Sequence, residues 1–519
     1  MNAFIPLLQS STTGLEADDL EVEMPRFLTM AFLMAALVLV GACTATVPQA
    51  PTTPATGSTP EAANTPEVPD TGGAQGAEAF VMREVVTGLE FPWELIYGPD
   101  DYLWVTERTG KRVIRVNPAD GAVQVALEIS EAYQRTTHDG VLGMALHPEL
   151  LQGTGNDYVY VAYVYQGEGG SGNNVNRRAK IVRYTYDAES ETLGDALDLI
   201  TELPASGDHN SGRLLIGPDE KLYYSLGDQG NNQFGNACFP ILAQVLPTAE
   251  EIAAQDWTHY QGKVLRLNLD GSIPEDNPEF DGVRSHVFTV GHRNVQGLAM
   301  SAAGLLYGTE HGPKSDDEVN LLEAGKNYGW PHVAGYQDDQ AYVYANWSEA
   351  ENCRLLQFSD YEVPASVPLQ EESEWSHPDF VPPLFTFGTV PDDYDFHSPE
   401  CGNQEWICWP TIAPTGVELY TARDGGMAGW GNSLLVTGLK TGTVHRIALS
   451  EDGRSTVGEV IPYFKTINRY RDVAIAPDGR TFYVITDSGN WTLGEDGIPT
   501  NVLENPGAIL EFTFAGEEE

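Results

Sequence analysis

The sequence predicts an all-β fold, a six-bladed β-propeller with long inserted loops, on three observations. A turn followed by an aromatic-rich strand recurs about six times. Each copy has a further strand-like run beside it, and such runs fill almost everything after residue 79. Repeats of one strand-rich unit bury their faces by stacking on one another, and equivalent copies favour a ring over a large sandwich or barrel.

The copies follow in order. Gly98-Pro99-Asp100 precedes Leu103-Trp104-Val105, and His147-Pro148-Glu149 precedes Tyr158-Val159-Tyr160. Gly217-Pro218-Asp219 precedes Leu222-Tyr223-Tyr224, and the turn at 301–304 precedes Leu305-Leu306-Tyr307. A weaker copy joins Gly429-Trp430-Gly431-Asn432 to Leu434-Leu435-Val436, and the last joins Ala476-Pro477-Asp478-Gly479 to Phe482-Tyr483-Val484. Companion strands are Val113-Ile114-Arg115-Val116, Val264-Leu265-Arg266-Leu267 and Val444-His445-Arg446-Ile447. The final strand, 508–514, is expected to pair with 82–86 and close the ring, which removes exposed sheet edges. One helix-like patch spans 249–255. The longest departure from the repeat, 320–424, is expected to hold functional loops.

The chain has 519 residues and carries 75 acids against 28 Lys and Arg, a net charge of −47. Such a surface repels nucleic acid and anionic lipid headgroups, so no nucleic-acid partner is expected. Residues 1–43 read as an export signal, with translation expected to start at Met24. There Met24-Pro25-Arg26, an apolar run and Leu39-Val40-Gly41-Ala42-Cys43 resemble a bacterial lipobox. Cys43 would be the lipidated residue and the only tie to a membrane, holding the protein at the periplasmic or extracellular face of the envelope. Residues 44–78 form a Thr/Pro/Ala-rich linker too poor in apolar residues to fold, and 79–519 form the propeller domain. Four further cysteines allow three pairings; Cys401 and Cys408 could close a small loop, leaving Cys238 and Cys353 as a pair or two free thiols.

In a propeller the loops of one face converge on the central channel. Those loops carry His138-Asp139, His209, Asp228, Arg293-Asn294, His311, Lys440, Arg469, Arg471 and Asp487. Asp208-His209 and Asp228 bracket a strand–turn–strand, so a hairpin can bring a general base and its orienting carboxylate together. Singly, an Asp-His is more often a polar turn. Clustered cations in so acidic a chain point to a polyanionic small molecule, since guanidinium groups match carboxylates. The run Glu310-His311-Gly312-Pro313-Lys314-Ser315-Asp316-Asp317-Glu318 offers carboxylates and turn carbonyls to a hard cation, though a solvated acidic turn is equally compatible.

Several runs closely resemble the soluble quinoprotein glucose dehydrogenase family: GKVLRLNLDGSIP at 262–274, GHRNVQG at 291–297 and NYGWP at 327–331. So do Glu372-Ser373-Glu374-Trp375, the stretch 401–409 and Asn468-Arg469-Tyr470-Arg471-Asp472-Val473. The likeness extends in order from about residue 88 to 514. It implies a six-bladed propeller that binds pyrroloquinoline quinone (PQQ) and calcium and oxidises an aldose such as glucose at C1 to the lactone. Carried onto matching positions, His209 is the base, Asp228 orients it, and Arg293 stabilises charge on the quinone. Asp208, Gln233 and Arg293 lie at the sugar. His138, Asn294, Trp406, Thr411, Lys440, Arg469, Arg471 and Asp487 contact the cofactor. Gly312 and Pro313 offer carbonyls to calcium; Glu318, Tyr328, Ala334, Tyr336, Asp338 and Glu372 resemble a further calcium site. Cys401 and Cys408 match a family disulfide.

At His138, Asn210 and His311 the family has glutamines, and at Trp406 a tyrosine. The family includes dimers, so a homodimer belongs to the expectation; the electron acceptor stays open. A calcium-dependent lactonase would not need the cation cluster, and a sugar-binding propeller would not need the His209-Asp228 pair.

Overall fold

In a computed structural model of the protein, residues 78–170, 175–422 and 425–517 are described. The expected export signal, Cys43 and the linker up to residue 77 lie outside them. Six four-stranded antiparallel sheets follow one another along the chain. From inside outward, blade 1 is Pro92–Tyr97, Leu103–Glu107, Arg112–Val116 and Val123–Glu128. Blade 2 is Val141–Leu146, Tyr158–Gln166, Arg177–Asp187 and Thr192–Pro204. Blade 3 is Leu214–Ile216, Lys221–Leu226, Lys263–Asn268 and Val287–Val290. Blade 4 is Val295–Met300, Leu306–Glu310, Asp317–Leu322 and Phe385–Phe387. Blade 5 is Pro414–Tyr420, Ser433–Gly438, Thr443–Ala448 and Ile461–Tyr463. Blade 6 is Tyr470–Ile475, Thr481–Thr486, Ile509–Glu517 and, from the other end of the domain, Glu78–Val86.

Each innermost strand packs against the innermost strands of both neighbours, so the six form a closed ring. Closure is the predicted one: Met82 faces Phe512 in the antiparallel pair that completes blade 6. Every blade–blade interface carries its own apolar cluster. Trp104 and Val141 belong to the one between blades 1 and 2, and Tyr224 and Tyr160 to the next. This explains why the second strands are rich in aromatic and aliphatic residues on both faces. Covered on both faces, Leu103–Glu107 and Thr481–Thr486 are buried along their whole length.

The recurring turn has a chemical reason. Asp100 accepts from Trp104 Nε1 at 3.1 Å and from Arg115 Nη2 at 2.6 Å. Asp219 repeats this in blade 3, accepting from the Tyr223 hydroxyl at 3.0 Å and Arg266 Nη2 at 2.9 Å. One turn carboxylate thus ties the aromatic of the second strand to the arginine of the third. Across the axis, Arg213 pairs with Glu94 and with Asp472, the latter at 2.7 Å, linking blades 1, 3 and 6.

The predicted helix is present as Ala249–Ala254, opened by a capping box between Thr248 and Glu251. A second, four-residue helix, Glu405–Cys408, is too short to leave a periodic pattern in the sequence. The expected departure over 320–424 needs correction. Asp317–Leu322 runs into it, and Phe385–Phe387 and Pro414–Tyr420 are blade strands, so the irregular stretches are 323–384 and 388–413. A three-residue outer strand is too short to show a period of two. Both cysteine pairs are disulfides, Cys401–Cys408 and Cys238–Cys353, which decides the alternative left open for the second.

Candidate active site

In a four-stranded antiparallel blade the first strand begins, and the second ends, at the same face of the ring. Twelve chain segments therefore end above one end of the axis, and a cavity of about 720 Å³ there is lined from every blade. Its wall includes His138, Asp208, His209, Gln233, Arg293 and Asn294. Gly312, Pro313, Trp406, Thr411, Lys440, Arg469, Arg471 and Asp487 complete the expected set around it. Residues from opposite ends of the sequence are gathered because each sits at one of these two strand ends.

His209 Nδ1 lies 2.7 Å from Asp228 Oδ1. That oxygen also accepts from the Gly230 amide at 2.9 Å, and Oδ2 accepts from Trp330 Nε1 at 2.9 Å. All the neighbours of this carboxylate are donors, so Nδ1 carries the imidazole proton and Nε2 presents a lone pair. Gln233 Nε2 is 3.3 Å from His209 Nε2 and donates to Asp208 Oδ2 at 3.1 Å. The loops meet because Gly227 has no side chain: a Cβ there would lie 2.0 Å from the carbonyl oxygen of His209. Burial pushes the Asp208 carboxyl up, but His209, His138 and Arg293 hold it down to about 2. It is a carboxylate at every working pH.

Much of the wall is cationic. Arg469 and Arg471 both pair with Asp487. Lys440 Nζ donates to Thr411 Oγ1 at 2.7 Å and to the Trp409 carbonyl at 2.8 Å. Arg293 Nη2 donates to Gln233 Oε1 at 3.2 Å. Arg108, which the sequence reading did not single out, is buried in the same wall and bonds the carbonyl of Thr137, next to His138. Burial, with Arg471 and Arg469 beside it, lowers its guanidinium to about 10, against the pull of Asp487. Arg108 Nε, Arg293 Nε and His311 Nε2 are buried with no hydrogen-bond partner among the described residues. The two arginine donors and the positive charge, converging on one cavity, fit a polyanionic group like PQQ.

The acidic run does not act as one unit. Glu310 turns away to His292 Nδ1, at 2.9 Å, and to the Arg293 and Asn294 amides. Asp317 accepts from the Gly312, Ile412 and Ala413 amides. Gly312 and Pro313 stay in the cavity wall. Behind them, Glu318 accepts from the Gly335 amide at 2.7 Å, and Glu372 from the amides of Ala334, Asp338 and Asp339. Tyr328 and Ala334 are buried beside them, and Tyr336 is exposed. Burial first, then nearby acids, raises the carboxyls of Glu318 and of Glu372, the latter to about 7. Among the described residues no three His, Cys, Asp or Glu side chains converge on one point. A hard cation would therefore depend on backbone carbonyls as much as on these carboxylates, and such an oxygen-only donor set suits calcium.

Trp330 and Arg108 are the residues the sequence reading missed. Arg108 directly follows the second strand of blade 1, where blades 3 to 6 place Asp228, His311, Lys440 and Asp487; aligning the repeats would have found it. Trp330 lies in an insertion, outside any repeat.

A ring of blades with a histidine–carboxylate pair in a cationic wall defines a propeller enzyme. The glucose/sorbosone dehydrogenase family model matches residues 89–356 and 390–494. Quinoprotein glucose dehydrogenase B of Acinetobacter calcoaceticus is 45% identical over 441 residues, covering 84% of this chain and 92% of that protein. A putative oxidoreductase (glucose dehydrogenase) of Thermus thermophilus has a solved structure with TM-score 0.55 and 27% identity, over 84% of this chain and 100% of that one. The PQQ-bound aldose sugar dehydrogenase of Streptomyces coelicolor shares the fold, with TM-score 0.55 and 24% identity over 85% of this chain and 99% of that one. The chain belongs to the glucose/sorbosone dehydrogenase family and is an oxidoreductase.

Proposed function

We propose that the enzyme oxidises an aldose, glucose or a related sugar, at C1 to the lactone, with PQQ and calcium as cofactors. The observation that carries this is the His209–Asp228 pair and five cations, Arg108, Arg293, Lys440, Arg469 and Arg471, gathered around one cavity.

Lys440, Arg469 and Arg471 would hold the carboxylates of PQQ, with His138, Asn294, Trp406, Thr411 and Asp487 lining the rest. Gly312 and Pro313 would offer carbonyls to calcium beside it, and Glu318, Asp338 and Glu372, with carbonyls of Tyr328, Ala334 and Tyr336, would hold a further calcium. When bound, the quinone supplies the two-electron acceptor for hydride from C1, and calcium the Lewis acid. His209 Nε2 takes the C1 hydroxyl proton, and Asp228 steadies the imidazolium that results. Asp208 and Gln233 orient the sugar hydroxyls. Arg293 sets its charge where negative charge develops during the transfer.

Reconstitution tests this reading. Apoprotein given PQQ and calcium should take on quinone absorbance and reduce an artificial dye when an aldose is added. Absence of both signals across an aldose panel would sink it. Export and anchoring through Cys43 belong to the same proposal, supported by two disulfides, which persist in oxidising compartments. Replacing Cys43 with Ser should release the protein from membranes.

A further inference from the structure

We infer that Trp330 is a positioning residue that sets the general base and Arg293 in register with each other, an inference that rests on the dehydrogenase reading. Its indole has two partners in the site, one through its edge and one through its face. The Nε1–H donates to Asp228 Oδ2 at 2.9 Å, while the other carboxylate oxygen holds His209 Nδ1 at 2.7 Å. With both oxygens engaged, the carboxylate cannot turn about its Cβ–Cγ bond, so the imidazole plane is fixed as well. The guanidinium of Arg293 lies over the same indole ring, 5.5 Å from its centroid, close enough for a cation–π attraction.

These contacts close a circuit. Arg293 Nη2 donates to Gln233 Oε1 at 3.2 Å, and Gln233 Nε2 returns to His209 Nε2 at 3.3 Å. Residues from the loops of blades 3 and 4 thus share one frame, and Trp330 is the member the 323–384 insertion contributes. Its own placement is rigid. The Trp330 amide donates to the Gly291 carbonyl at 3.0 Å, its carbonyl accepts from Gln244 Nε2 at 2.8 Å, and Tyr342 packs on its ring. An indole that only filled space would need none of the Asp228 bond, and phenylalanine would serve as well.

That difference is the test. Trp330→Phe keeps an aromatic face under Arg293 and removes the donor. In holoenzyme the variant should lose roughly tenfold or more in kcat, with KM within about twofold and melting temperature and PQQ uptake unchanged. In apoprotein carrying isotope-labelled histidine, the His209 Nδ1–H resonance should move in Trp330→Phe. Asp228→Ala reads the same bond from the other side, through faster solvent exchange of the Trp330 indole proton. Wild-type kcat together with an unmoved His209 resonance overturns the inference. Should Trp330→Phe fail to fold, an indole proton whose exchange is unchanged in Asp228→Ala overturns it instead. Wild-type enzyme that oxidises no aldose would defeat the dehydrogenase reading, while the two resonances would still report on Trp330.

Discussion

Arg469 and Arg471 converge on one carboxylate oxygen: Oδ2 of Asp487 lies 3.2 Å from Arg469 Nε and 3.3 Å from Arg471 Nη2. The two guanidinium groups would repel without it, so this acid keeps the cationic wall assembled before any anion arrives.

A pH signature follows. Burial pushes the Asp487 carboxyl up, yet Arg471, Arg469 and Arg108 bring it from an ordinary 3.8 down to about 2. A depressed carboxyl stabilises the fold above its unfolded value and loses that contribution as pH falls through its folded one. Asp487→Asn should therefore be less stable at pH 7 by about 2 kcal/mol, the gap narrowing as pH falls from about 4 towards 2. Urea unfolding at a series of pH values measures this; a gap that does not narrow would refute it.

Lys440 titrates the other way. Burial, with Arg469 beside it, lowers the ammonium to about 7 against the pull of Asp317. Above neutrality the free site holds less charge, so binding a polyanion draws a proton in. PQQ affinity should fall as pH rises past neutral, and Lys440→Arg, always charged, should flatten that slope. Calorimetry in two buffers of different ionisation heat counts the proton.

His209→Gln should reduce turnover by about a thousandfold while PQQ remains bound, because the clamp residues are untouched. Near-normal rates with bound cofactor would show that another group removes the proton.

The Cys238–Cys353 disulfide spans 115 residues and ties the loop bearing Gln233 to the 323–384 insertion, over a small cluster of Ala237, Trp347 and Val367. Cys353→Ser should cost about 2–4 kcal/mol in stability. It should also raise KM for the sugar more than it lowers kcat, as steady-state kinetics would report.

Phe80 sits on the closing strand, with its ring within 6.0 Å of the ring centroids of Trp430, Tyr463, Phe464, Phe482 and Phe514. Phe80→Ala should cost about 3 kcal/mol. Exchange protection should fall first in Glu78–Val86, and uniform loss around the ring would contradict the assignment.

How much was legible followed repetition. The Gly98-Pro99-Asp100 and Gly217-Pro218-Asp219 turns announce their blades because Asp100 and Asp219 must reach an aromatic four residues on and the arginine paired with it in the third strand. His209, Asp228 and Lys440 could be placed on one face because each occupies an equivalent strand end. Arg108 occupies such an end too and was passed over, since a lone arginine after Glu107 reads as a surface ion pair. The outer strand Phe385–Phe387 and the helix Glu405–Cys408 are too short for periodicity to register. Trp330 sits in an insertion, where its partner Asp228 is about a hundred residues away and no repeat rule connects them. The carboxylates from Glu310 to Glu318 are compatible in sequence with one ligand set or with a solvated turn; alternation along a strand and a turn sends them in different directions.

Blade 6 takes three strands from one end of the domain and its outermost from the other. A chain made from its N-terminus carries Glu78–Val86 from the start, but the partner strand Ile509–Glu517 comes last. The cavity draws its wall from all six blades, so it has no finished geometry while the ring is open. Cofactor loading is thereby postponed until that strand is made, and a chain cut short before it would hold every residue of the site and still have nowhere to bind.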